Sequence, residues 1–142
     1  MNRLRNQKGA ALLETAITLP LVLLVCVSIF EFGRAYQTWQ VLTNAAREGA
    51  RVAILPESTD AQVTSAVKAY MQGGQLPSFA SANVSVERTV PFAVSNTASR
   101  VTISYPFNFM VLNPVMRLVN SSSTTGQGTT TMVSVALMRN ES

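Results

Sequence analysis

With 142 residues the chain has room for about one domain, and 47% of them are hydrophobic against 13% charged, roughly half the ~25% charged fraction of an ordinary soluble protein. So few charges cannot solvate a free globule, and the apolar content excludes a disordered chain. The absence of histidine and the single cysteine exclude an internal disulfide, a histidine-assisted nucleophile and a Cys/His zinc cluster.

The formal charge of +4 is unevenly placed: Arg3, Arg5 and Lys8 lie within the first eight positions, and the rest of the chain is nearly neutral. Arg34, Arg47, Arg51, Lys68, Arg88, Arg100, Arg117 and Arg139 are scattered. They form no basic stripe with aromatics, so no nucleic-acid partner is expected and most of them read as solvated surface. Beyond the apolar amino-terminal run the carboxylates are Glu31, Glu48, Glu57, Asp60, Glu87 and Glu141, without acid/base or metal spacing. No catalytic, cofactor-binding or metal-binding residue is assigned, and the expectation is a protein that is not an enzyme and uses no cofactor.

The first element is the run from Ala10 to Phe30, whose only carboxylate is Glu14. As a helix it spans about 31 Å, the thickness of a bilayer core. The basic lead before it predicts a single pass with residues 1–9 cytoplasmic and everything after Phe30 extracytoplasmic. Gly33-Arg34-Ala35 offers a signal-peptidase arrangement, but the run exceeds the 7 to 15 residues of a signal core. Cys26 lacks the small preceding residue of a lipoprotein site and reads as apolar filler. A plain anchor leaves Glu14 unexplained, since a carboxylate in a span costs up to about 3 kcal/mol. It either snorkels to the inner headgroups or meets a positive partner. Pro20 removes one helix hydrogen bond and predicts a kink.

The helix is expected to continue as an amphipathic extension over residues 31–55, with Phe32, Tyr36, Trp39, Leu42, Ala46, Gly49 and Ala53 recurring at steps of three and four. Tyr36 and Trp39 suit either an aromatic belt or, better, core packing. Ala45, Gly49 and Ala53 stack at intervals of four, which permits close approach of another backbone, either this chain's own sheet or a second subunit. Pro56 ends the helix. Residues 56–142 form the extracytoplasmic body.

Within that body Thr59-Asp60-Ala61-Gln62 has capping-box spacing, and Val63, Ala66, Val67, Tyr70 and Met71 mark a second helix closed by Gly73-Gly74. The period then changes to two. Val84 to Val90, ending before Pro91, Val101 to Phe107, and Thr129 to Met138 read as strands. The fold class is α+β: one long amino-terminal helix, half transmembrane and half amphipathic, packed on a small antiparallel sheet of about three strands. Phe107 to Leu112 is too apolar for a solvated loop and reads as core cover or a docking patch. Asn113-Pro114 opens a short helix to about Val119, followed by a Ser/Thr/Gly loop at Asn120 to Gly128.

Lys8-Gly9-Ala10-Ala11-Leu12-Leu13-Glu14 resembles the processing site of type IV pilin-like proteins. The longer series Leu19-Pro20-Leu21, Glu31-Phe32-Gly33-Arg34-Ala35 and Leu42-Thr43-Asn44-Ala45-Ala46-Arg47-Glu48-Gly49-Ala50-Arg51 resembles the TadE-like family of minor pilins, or pseudopilins, of the tight-adherence (Tad/Flp) pilus, over residues 7 to 53. The resemblance implies a pilin-like fold and cleavage after Gly9 by a prepilin peptidase. It makes Ala10 the new amino terminus and Glu14 its fifth residue. It implies as partners other pilin and minor pilin subunits, the inner-membrane assembly machinery and membrane lipid, with a bacterial inner-membrane location and a periplasmic body. Thr15 stands where major Flp pilins usually carry an aromatic, which fits an accessory subunit. The alternative of another class is an unprocessed single-pass scaffold or adhesin-like envelope protein that binds a second envelope component.

Overall fold

The computed structural model describes residues 3–93, 96–111, 113–114 and 129–140. Helix α1 runs Arg3–Ala53, α2 runs Asp60–Gly73, and a 3-10 turn at Phe79–Ser81 leads into strands β1 (Asn83–Ala93), β2 (Asn96–Phe107) and β3 (Thr130–Arg139). The class is α+β, with an antiparallel sheet in the order β1-β2-β3 covered on one face by both helices.

The 51 residues of α1 continue through Pro20 and extend about 76 Å. In its first half the hydroxyls bond to the helix's own carbonyls, Thr15 to Ala11 at 2.9 Å, Thr18 to Glu14 at 2.9 Å and Ser28 to Leu24 at 2.8 Å. These polar groups therefore need no water. In the second half, Leu42, Ala45, Ala46, Ala50 and Ala53 are buried against Val63, Val67 and Met71 of α2 and Val101, Ile103, Tyr105 and Phe107 of β2. The helix ends at Ala53, two residues before Leu55, and α2 opens with both bonds of the capping box between Thr59 and Gln62.

The small residues of α1 set how closely it lies on its neighbours. A Cβ added at Gly49 would lie 2.5 Å from Val67 Cγ2, 3.2 Å from Val101 Cγ1 and 3.6 Å from Val63 Cγ1. Gly49 thus faces this chain's own sheet and second helix at once. Gly74 makes a similar approach, its added Cβ falling 2.5 Å from Val41 Cγ1, and the turn then passes through Gln75 in the left-handed region at φ 58. Contacts fix the direction of α1: Arg34 lies by Phe107, Gly49 by Val101, and the Ala53 carbonyl by Arg88. The helix accordingly runs antiparallel to β2 and parallel to β1 and β3.

The two sheet edges differ. β1 continues through Pro91, past the expected boundary, and takes irregular register on both sides of Val90 and Pro91. Proline and bulges belong at an edge, where a missing donor breaks no ladder. β3 keeps unbroken register with β2 from Thr130 to Arg139. Met132, Ala136 and Met138 turn to the core, while Val133, Val135 and Leu137 are exposed on the other face.

One expected pattern is corrected. Phe32, Tyr36 and Trp39 are 63%, 61% and 47% exposed, so the buried stripe is not the line of large apolar residues. It begins instead with Glu31 and Thr38, continues through Leu42, Ala45, Ala46, Gly49, Ala50 and Ala53, and leaves the Tyr36 and Trp39 rings against each other at 6.2 Å. The reason is steric: a helix seated on a sheet needs small side chains along the seam, and the aromatics are displaced to its flank. Asn113 and Pro114 are helical, while the rest of the expected short helix and the Asn120 to Gly128 loop lie outside the described residues.

Because the Gly49 site is full, Gly49→Val should lower unfolding stability by about 2 kcal/mol in chemical melts of the full chain in detergent, despite removing a helix-interior glycine. Adding Val67→Ala should recover part of the loss; additive losses would show that the two side chains do not share one space.

Candidate assembly site

The amino-terminal half of α1 stands clear of the body. Leu12, Leu13, Ile17, Leu19, Leu21 to Val25, Ile29 and Phe30 are exposed, and the helix contains a window of mean hydropathy 2.3 with none of it buried. It is apolar enough and long enough to cross a membrane once. Gly9, Ala10 and Glu14 are all exposed on this arm. Nothing lies within 4 Å of a Cβ added at Gly9. Ala10 and Glu14, four residues apart, share one helix face. The four ion pairs among the described residues do not include Glu14.

Where the arm meets the body, the structure brings together residues that the sequence did not group. Glu31 is completely buried, and its carboxylate accepts the backbone N–H of Met110 at 3.0 and 3.1 Å and that of Val111 at 3.1 Å. Arg34 Nη2 donates to Glu31 Oε2 at 3.2 Å and also to the Asn108 carbonyl. Its guanidinium lies 4.6 Å from the centre of the Phe107 ring. Phe109 completes the join, edge-on to Phe107 at 5.1 Å and to Phe32 at 6.5 Å. A carboxylate taken out of water costs several kcal/mol unless it is paired and hydrogen-bonded. Three amide contacts and one guanidinium meet that demand, and they fasten the chain after β2 to the first turn of α1 beyond the apolar run.

This arrangement divides the apolar stretch after β2. Phe107 is buried and Phe109 packs on the core, whereas Met110 and Val111 are exposed; Leu112 lies outside the described residues. A cleft of about 280 Å³ opens beside it, lined in part by Arg34, Gln37, Ser78, Tyr105 and Asn108.

At the other end of α1, Arg88 does similar work. It donates to Asp60 Oδ1 at 2.8 Å, to the Ala53 carbonyl at 2.9 Å and to Ser58 Oγ at 3.1 Å, closing the helix terminus whose carbonyls lack intrahelical donors. Asn140 extends the lock by donating to the Arg88 carbonyl at 2.9 Å and accepting from Ser99 Oγ at 2.8 Å. Arg34 and Arg88 are thus structural ties, half-buried where they make these bonds. Arg51 is the exposed kind: its hydrogen bonds hold the Glu48 carboxyl below its usual range. That small contribution is present above the ordinary carboxylate pKa of 4.5 and fades as pH falls through the depressed value.

Among the described residues no group of three His, Cys, Asp or Glu side chains is placed to hold a metal ion. The family model described as TadE-like protein matches residues 9–51, which bears out the sequence resemblance over nearly the same stretch. No curated protein matches the chain, and no solved structure does.

Glu31→Ala should remove an acceptor from two backbone donors and leave Arg34 without its carboxylate, lowering stability by about 3 kcal/mol. Glu31→Gln, which keeps one carbonyl oxygen, should cost less. Hydrogen exchange provides the local readout: Met110 and Val111 amides should lose protection in Glu31→Ala before the β2 amides do. Equal loss across the sheet would mean that the carboxylate supports the whole fold and not this join.

Proposed function

We propose, from the TadE-like match over residues 9–51, that this chain is a minor pilin or pseudopilin of a Tad-type pilus apparatus, cut after Gly9 by a prepilin peptidase. The observation that carries the reading is the coincidence of this match with an apolar helical arm that the body leaves bare, with Glu14 on it and outside the four ion pairs among the described residues. The work is assembly and not catalysis. Cleavage frees an amine at Ala10, one helical turn before Glu14, and loses the three basic side chains of the lead. The amine and carboxylate are complementary charges in an apolar setting. Their pairing within one helix or between neighbouring helices offsets the desolvation of both and sets helix register. The body is carried on the extracytoplasmic side by the basic lead's preference for the cytoplasm.

Intact-mass analysis of the protein from its native host tests the processing. The expected chain starts at Ala10. A chain starting at Met1 supports the unprocessed scaffold instead, and one starting at Tyr36 supports a cleaved signal peptide.

Glu14→Leu separates assembly from anchoring. The variant should insert at least as well, because a carboxylate leaves the hydrocarbon region, yet pilus production and co-purification of other pilin subunits should fall. Glu14→Asp should be intermediate, keeping the charge on a shorter reach. Normal pili from the Leu variant would reduce Glu14 to a side chain that snorkels.

A further inference from the structure

We propose that the segment after β2 is a second membrane contact, with Met110 and Val111 resting in the outer interfacial layer of the same bilayer that α1 crosses. The inference rests on the reading of Ala10 to Phe30 as a membrane span. Glu31 is the first residue after that run, and Met110 and Val111 are hydrogen-bonded to its carboxylate at 3.0 to 3.1 Å. Each interfacial layer of a bilayer is on the order of 5–7 Å thick, so a backbone held at the level of residue 31 falls within it.

The chemistry of the segment suits that position. Met110 is 67% and Val111 39% exposed, two apolar side chains presented at one exposed tip. From Val101 to Met116 the sequence carries no Asp, Glu, Lys or Arg. Phe32, exposed on α1 one residue beyond Glu31, touches Phe109, and Ile29 and Phe30, just before Glu31 in the chain, are exposed on the arm. The tip is therefore continuous with the lipid-facing surface of α1. Among the described residues, the charges beside the tip, Glu31 and Arg34, are paired with each other. The occupant is the boundary between headgroups and acyl chains. Its contact makes the body stand on the membrane at two points, the helix and the tip.

Depth-dependent quenching in proteoliposomes of the full chain tests this. An environment-sensitive fluorophore is attached to native Cys26, which is exposed on the arm, or, in a Cys26→Ser background, to Met110→Cys, Val111→Cys or the exposed Thr89→Cys on β1 at the far end of the body. Bilayers contain lipids brominated near the headgroup or deep in the chain. The Cys26 label should be quenched by the deep bromines. Labels at 110 and 111 should emit to the blue of the Thr89 label and be quenched by the shallow bromines, and the Thr89 label by neither. Quenching of Cys26 with none at 110 and 111 would overturn the footing while leaving the span intact. A blue-shifted but unquenched label at those positions would assign the tip to a protein partner and overturn it equally. An unquenched Cys26 label would reject the span and the footing with it.

Discussion

A carboxylate buried one residue beyond an apolar run governs how the two halves of this molecule are joined. Glu31 has no water around it, so its charge is balanced by two backbone amides from the far end of β2 and by Arg34. Those donors come from a segment almost eighty positions away in sequence. The bond to them closes the body against the helix at the point where the apolar run of the helix ends. A side chain without an acceptor at this position would leave the amides of Met110 and Val111 unpaired, whereas the carboxylate holds them against the first turn.

The rest of α1 follows from serving two environments with one continuous helix. Over its first half the large apolar side chains face outward on every side, and the few hydroxyls are satisfied within the helix. Over its second half the seam against α2 and β2 is built from alanines, Gly49 and one leucine. The first half suits a solvent with no hydrogen bonds to offer, and the second suits a tightly packed partner surface. The TadE-like match, over residues 9–51, takes in both halves, the packed half as well as the apolar one.

The elements that sequence disclosed are those fixed by local chemistry. The second helix was legible because Thr59 and Gln62 cap it reciprocally, and the strands because their side chains alternate between a helix-covered face and an open one. Hydropathy misled where burial follows size and not apolarity. Phe32, Tyr36 and Trp39 stand out in the sequence yet flank the seam, while Glu31 and Thr38 occupy it. The join at Glu31 was hidden because its partners are backbone amides, which leave no residue-type signature. The spacing of Glu31 and Arg34, three apart at the end of an apolar run, was the available hint. Arg88 was hidden for a related reason: two of its partners are reached only after the chain has folded back from β1 to the end of α1.

The direction of α1 along the sheet has a further consequence for symmetry. β3 offers a regular edge with exposed Val133, Val135 and Leu137, the kind of strand that tends to recruit a copy of itself. Antiparallel pairing of two β3 edges into one continuous sheet requires a two-fold axis normal to that sheet, and the operation reverses everything lying along the strands. Since α1 runs parallel to β3, the two long helices would then point in opposite directions. Two copies inserted the same way in one bilayer have helices pointing the same direction, so this dimer is forbidden to them by geometry alone. An arm held in a membrane would thereby guard an edge that the sequence of β3 leaves undefended.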